Sequence, residues 1–165
     1  MGTFSRLRYV IAANVNSLIE KAEDPEKLLR ALIREMEDAS EEARVACAEL
    51  LAEQQRLQRL ESRLDEDQAE WQRRAENAVT KGRDDLARTA LKARTELADQ
   101  QAAALDEQKR VADRVTQMEQ DMLTLKTKLA EAKTKLKGMQ AGKGPKQVNA
   151  ETAERLSPGE RKIRR

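Results

Sequence analysis

The chain has 165 residues, of which 38% are charged and only 2% are aromatic, and its formal net charge is +2. So few aromatic residues leave little to fill a globular interior, and the composition is typical of long helices and coiled coils. The small net charge excludes a strongly polyanion-binding body. Because the chain has no histidine, it lacks the usual base near neutral pH and the usual metal ligand. We therefore expect no catalytic residues, no metal site, no cofactor and no enzyme activity.

The sequence favours a cytoplasmic location. Its one cysteine, Cys47, leaves no disulfide framework, which is consistent with a reducing compartment. Arg6, Arg8 and Asn14 interrupt the apolar residues near the N-terminus, so this segment lacks the compact apolar core of a secretory signal. No run of about 18 apolar residues is present that would span a bilayer. We expect Cys47 to be a small apolar packing residue.

Residues 1–23 are predicted to form an amphipathic helix of their own. Large apolar residues recur every three or four positions on one face: Phe4, Leu7, Ile11, Val15 and Leu18. Three basic residues accompany them: Arg6, Arg8 and Lys21.

Two interpretations of this apolar face remain open at the sequence level. In one, the face packs against the rest of the chain or against another copy. In the other, it inserts reversibly into a membrane surface, where each apolar side chain contributes roughly 1 to 2 kcal/mol. Each basic side chain adds about 1 kcal/mol on an anionic leaflet. Ordering the segment offsets much of this gain, so we expect weak binding by one copy and strong binding by an oligomer.

Residues 24–137 are predicted to form a long antiparallel coiled-coil hairpin. Two segments each carry an apolar stripe with a mean period of 3.5 residues, which must be covered by a partner helix. Asp24 and Pro25 suit the N-cap and the first position of the outgoing helix. Gly82 suits a left-handed cap at the tip, and Asp84 or Asp85 suits the N-cap of the return helix. Because the connection is short, the two helices must lie side by side.

The hairpin predicts which residues face each other. Residues whose numbers sum to about 166 lie at similar heights, so Leu50 is expected near Val115. We suggest that Asp67, Trp71 and Arg94 form a polar or cation–π layer that fixes the register. The alternative is a seam of imperfect heptads with solvated ends.

Residues 138–165 are predicted to form a flexible basic tail. Gly138, Gly142 and Gly144 precede Pro145, and the segment ends with the basic run 161–165. No aromatic residue accompanies this run to stack on bases, so we expect no direct nucleic-acid binding.

Several segments resemble the phage shock protein A family, which includes a plastid vesicle-inducing relative and is related in fold to ESCRT-III proteins. The resemblance covers residues 1 to about 137, and its most specific part is N-V-N-S-L-I-E-K-A-E-D-P at 14–25. The other matching segments follow in chain order: 1–6, 35–38, Trp71, 75–76 and 83–91.

This resemblance implies a bacterial envelope-stress protein with two roles. In the first, the N-terminal helix binds anionic lipids of the inner membrane from the cytoplasmic side, and homo-oligomers form a scaffold that maintains membrane integrity. In the second, the hairpin binds the AAA+ enhancer-binding transcriptional activator of its own operon and inhibits it. The implied lipid-binding residues are those of the amphipathic face and its basic neighbours. The alternatives are a structural coiled-coil adaptor without membrane binding and a soluble transcriptional co-regulator.

Overall fold

The computed structural model describes the backbone of residues 2–163 and the side chains of residues 6–142. It contains four helices: α1 (Gly2–Ala12), α2 (Val15–Glu20), α3 (Pro25–Thr80) and α4 (Asp84–Ile163). Every regular element of this described part is an α-helix, and α3 and α4 pack against each other as an antiparallel hairpin. The predicted all-α hairpin class is therefore confirmed. No helix in the same range is both long and apolar enough to cross a bilayer.

The chain divides into two compact units. The first contains α1, α2, the part of α3 up to Ala43 and the part of α4 from Asp121 onward. The second contains Arg44–Gln120 and therefore includes the hairpin tip.

The start of α3 is fixed by the two residues that the sequence indicates. The Asp24 side chain accepts a hydrogen bond from the Lys27 amide at 3.2 Å, as an N-cap does. Pro25 occupies the first helical position, and Glu26 places a negative charge in the first turn. The predicted cap is thus confirmed.

The hairpin tip is a glycine-capped turn. Gly82 has φ of +69°, and its amide donates to the Val79 carbonyl at 3.0 Å while the Arg83 amide donates to Ala78 at 2.8 Å. These two bonds are the pair that defines a Schellman motif. The predicted cap at Asp84 or Asp85 is wrong, because both residues lie in the first turn of α4 and the Ala87 amide is bonded to the Arg83 carbonyl. Their carboxylates stabilise the positive end of the helix dipole instead.

Apolar residues from the predicted stripes form the core of the second unit. Leu57 packs with Val111 and Val115, and Leu50 lies against this cluster. This confirms the predicted pairing of Leu50 with Val115. Cys47 is a free, buried thiol and behaves as the predicted small packing residue.

The register layer predicted from Asp67, Trp71 and Arg94 is wrong in its members. Asp67 is exposed, Arg94 donates to Gln72 at 2.5 Å, and the ring of Trp71 is covered by Arg74 at 4.7 Å. The polar layer is made by other residues. Gln68 donates to Gln101 at 2.6 Å, and Gln101 donates to Glu61 at 3.4 Å.

The shift has a geometric cause. The seam near the tip passes through Leu64, Gln68 and Ala75 rather than Asp67 and Arg74. Both paths keep a mean period of 3.5, but they take the steps of three and four in a different order.

The predicted end of the return helix near Lys137 is also wrong, because α4 continues to Ile163. Gly138 and Gly142 do not interrupt it, since Gly82 is the only glycine among the described residues with a positive φ. A glycine inside a helix costs about 1 kcal/mol relative to alanine, which weakens the helix without ending it. The flexibility of residues 138–165 stays a prediction.

Candidate functional site

The N-terminal segment is two short helices rather than the single helix predicted. Asn14 lies between α1 and α2 with extended backbone angles, φ −88° and ψ 95°. Its side chain accepts a hydrogen bond from the Ser17 amide at 3.2 Å, so Asn14 is the N-cap of α2. The break therefore has a local cause, because this side chain replaces a helical carbonyl as the acceptor for Ser17.

The apolar face of this segment is covered by the first unit of the protein. Leu7 is 1% exposed and Val10 is 5% exposed, and Ile19 of α2 is also buried. Three residues of α3 and one of α4 contribute to the buried core of the same unit: Leu29, Met36, Ala39 and Leu125. Of the two interpretations that the sequence leaves open, this arrangement is the one in which the face packs on the chain itself.

Ion pairs connect α1 to the acidic side of α3. Arg6 lies 3.0 Å from Glu42 and 3.4 Å from Glu35. All three side chains are substantially exposed, so each pair contributes only about 0 to 1 kcal/mol. These contacts orient α1 more than they hold it in place.

Lys128 of α4 makes a different kind of contact with the end of α1. Its part-buried ammonium group donates to the backbone carbonyls of Ile11 and Ala13, the latter at 3.1 Å. The last carbonyls of a helix lack intrahelical partners and carry the negative end of its dipole. Lys128 therefore caps the C-terminus of α1 from a distant part of the chain.

Lys135 lies about two turns further along α4 and makes a second contact with the same segment. Its ammonium group donates to the Asn16 side chain at 2.6 Å. A cavity of about 330 Å³ lies where the α1–α2 break meets α4, and both lysines line it together with Glu131. The break between the two short helices is thus held by two cations of α4.

The predicted lipid-binding residues occupy several environments. Leu7 is buried, Ile11 and Val15 are half-buried, and Leu18 is 42% exposed. Arg6 is paired as described, whereas Arg8 and Lys21 are exposed. Phe4 lies outside the residues whose side chains are described. The structure also exposes Tyr9, at 75%.

Sequence reasoning missed the residues that separate α1 from α2 and hold both helices against α4. Asn14 carries a local signal, because asparagine ahead of an apolar run is a common N-cap. Lys128 and Lys135 carry none, since their partners are more than 100 residues away in sequence. Across the described residues, no cluster of three or more histidine, cysteine or acidic side chains has the arrangement of a metal site.

Comparison with known proteins gives a consistent result. The family model described as the PspA/IM30 family matches residues 2–157, which extends beyond the segment in which the sequence motifs are recognisable. The chain is 36% identical over 159 residues to the membrane-associated protein Vipp1 of Synechocystis sp., a match that covers 94% of this chain and 58% of the relative.

Two further relatives come from other lineages. The chain is 34% identical over 158 residues to a phage shock protein A homolog of Deinococcus radiodurans, covering 95% of this chain and 70% of that protein. It is 38% identical over 138 residues to the chloroplastic membrane-associated protein VIPP1 of Arabidopsis thaliana, covering 82% and 41%. The chain thus spans little more than half the length of its Synechocystis relative. The chain belongs to the PspA/IM30 family.

Proposed function

We propose that this chain is a peripheral membrane-binding protein of the envelope-stress response, and that the α1–α2 segment binds anionic lipid surfaces from the cytoplasmic side. The observation that carries this proposal is the placement of the apolar face. An 11-residue helix near the N-terminus buries Leu7 and Val10 within the first unit, and no disulfide keeps it there. The same face is therefore available to lipid when the helix leaves.

Energetics support a reversible exchange between the two environments. Burying a leucine or valine side chain contributes about 1.5 to 3 kcal/mol, and hydrocarbon and a protein core are both apolar coverings. We call the state in which α1 packs on the protein itself the closed state. The pairs of Arg6 with Glu35 and Glu42 add little to its stability, because their side chains are substantially exposed. On an anionic surface, Arg8 and Lys21 are free to add electrostatic attraction.

The names of relatives support the same direction. The Synechocystis and Arabidopsis relatives are named membrane-associated proteins, and the Deinococcus relative is named a phage shock protein A homolog. We carry membrane association and the stress response to this chain on that basis. A homo-oligomer would multiply weak contacts into tight binding through effective concentration, and we include homo-oligomerisation and a role in membrane integrity in the proposal.

A second part of the proposal concerns transcription. We infer from the family resemblance that the α3–α4 hairpin binds and inhibits an AAA+ transcriptional activator. The exposed surface of the hairpin offers apolar side chains for such a contact, among them Val45, Leu91 and Leu105. The protein acts here by binding, without catalysis.

One observation favours a competing function. Because Leu7 and Val10 are already buried, a structural coiled-coil adaptor that never binds membranes has the same structure. A soluble transcriptional co-regulator is the third candidate, and it would inhibit the activator's ATPase without ever sedimenting with vesicles.

Vesicle flotation with Leu18→Glu separates these functions. Leu18 is 42% exposed, whereas Leu7 is buried, so a substitution at Leu18 disturbs packing far less than one at Leu7 and places a charge on the lipid-binding face. We expect wild type to float with vesicles of phosphatidylglycerol and phosphatidylcholine, and L18E to lose about tenfold or more in affinity.

Leu123→Glu is the matched control, because Leu123 is an exposed leucine of α4 at 66% and lies outside the proposed lipid-binding face. It should float as wild type does. If wild type stays unbound, the chain is an adaptor or a soluble regulator. If wild type floats and L18E floats as well as L123E, the α1–α2 face is not the lipid-binding site.

A further inference from the structure

The carbonyl groups at the end of α1 lack their usual helical partners, because the Asn14 side chain binds one of the amides that they would accept from. In a continuous helix the Ala13 carbonyl would accept from the Ser17 amide. That amide is instead bonded to the Asn14 side chain. The Ala13 carbonyl and the Ile11 carbonyl both turn to the Lys128 ammonium group. Capping α2 with Asn14 thus creates the acceptor site that Lys128 occupies.

The Lys128 contact differs from the other links between α1 and the hairpin, because it caps backbone carbonyls at the end of α1 rather than pairing with a flexible side chain. A hydrogen bond with a charged donor is roughly twice as strong as a neutral one, and this one is part-buried, where screening by water and salt is weaker. Arg6 also donates a part-buried hydrogen bond to Glu42, but it does so between side chains that are 39% and 41% exposed. Lys135 reaches the side chain of Asn16 at an exposed site. Removing α1 from the hairpin therefore breaks the Lys128 cap and the Arg6 pairs besides the apolar packing.

We propose that Lys128 is a positioning residue that acts as a latch: it holds α1 on the hairpin and sets the fraction of molecules whose apolar face is free to bind lipid. This inference rests on the proposed function for its consequence but not for its mechanism. Leu7 and Val10 cannot face the hairpin and a bilayer at once, so the two states exclude each other. A contact that exists only in the closed state raises the fraction of closed molecules. The apparent affinity for membranes falls in proportion, because only the remaining open molecules can bind lipid.

The latch and simple electrostatics predict opposite changes in vesicle affinity when Lys128 is replaced. Lys128→Met keeps most of the aliphatic stem and removes the hydrogen bonds and one positive charge. Loss of a positive charge alone weakens attraction to an anionic vesicle. Loss of the latch strengthens binding, because more molecules have α1 released. We expect K128M to bind about five- to tenfold more tightly than wild type, because the gain from losing a charged hydrogen bond, roughly tenfold or more, is partly offset by the loss of one positive charge.

Lys126→Met is the matched control. Lys126 is an exposed lysine two positions away on α4, and its substitution changes the net charge by the same amount. It should bind slightly more weakly than wild type. Lys128→Arg retains a cationic donor and should restore affinity close to that of wild type. The vesicles contain phosphatidylglycerol and phosphatidylcholine, and circular dichroism establishes that each variant retains its helix content.

Hydrogen exchange measured without lipid tests the latch independently of membrane binding. In K128M the amides of α1 should exchange several-fold faster than in wild type or K126M, while those of the second unit remain unchanged. Faster exchange in α1 with no vesicle binding by any of the proteins supports the latch and contradicts the proposed function. Unchanged exchange in α1, or binding by K128M no tighter than by K126M when wild type binds, overturns the latch.

Discussion

At the scale of single residues, Gly82 shows most clearly how one position fixes the path of the chain. Among the described residues it alone has a positive φ, at +69°, and it allows the two Schellman hydrogen bonds that end α3. A Cβ atom added at this position meets nothing within 4 Å. Its cost is therefore purely conformational.

We predict that Gly82→Ala destabilises the protein by about 1 kcal/mol, because an L-residue pays roughly 1 to 2 kcal/mol in the left-handed region and gains a little from a less flexible unfolded chain. Urea unfolding followed by circular dichroism measures the change. Gly138→Ala is the control, since Gly138 is helical and equally uncrowded. It should be stabilising by about 0.5 to 1 kcal/mol. Equal effects of the two substitutions would show that the tip does not need a left-handed residue.

At the scale of the elements, sequence reasoning succeeds where the signal is local. Asp24 and Pro25 start α3 as predicted, because an N-cap and a first-turn proline act on neighbouring amides. The seam is predicted where it is apolar, as at Leu50 and Val115. The prediction of the seam fails around Asp67 and Gln68. Both candidate positions there are polar, so apolar periodicity cannot decide whether the step from Leu64 is three or four residues.

The same limit explains the N-terminal segment. Its apolar periodicity continues across Asn14, and this continuity concealed the cap that splits α1 from α2. The Lys128 contact has no counterpart in any local pattern, since its acceptors are backbone carbonyls that every residue carries.

Ion pairs along α3 give an element-scale prediction about pH. The hydrogen bond from Arg56 lowers the pKa of Glu53 below its ordinary value, and the hydrogen bond from Arg73 does the same for the pKa of Glu70. A carboxylate with a depressed pKa in the folded state contributes stability above its unfolded pKa of about 4.3, and that contribution is lost as pH falls through the folded value. We expect NMR titration to place both midpoints below those of unpaired glutamates.

Arg56→Gln supplies the internal control for this titration. It should return the Glu53 midpoint to the ordinary range and leave Glu70 unchanged, because Glu70 is paired with Arg73 and Arg74. A depressed Glu53 midpoint in this variant would assign the shift to the backbone and the helix rather than to the ion pair.

At the scale of the whole molecule, the central claim is that one apolar face has two alternative coverings. In the closed state, Leu7 and Val10 are buried within the first unit and Lys128 caps α1. In the membrane state that we propose, lipid replaces the hairpin as the covering. Membrane affinity then depends on the closed state as much as on the composition of α1, which the amphipathic sequence alone does not show.

The distance between α1 and α4 tests this claim most directly. Spin labels at Tyr9→Cys and Lys126→Cys, both exposed positions of the first unit, are introduced with Cys47→Ala to remove the native thiol. Pulsed electron–electron double resonance then measures the distance between the two labels with and without phosphatidylglycerol-containing vesicles. The account predicts one short, narrow distance distribution in solution and its replacement by longer distances on vesicles. Retention of the short distance in protein that has bound to vesicles would contradict it.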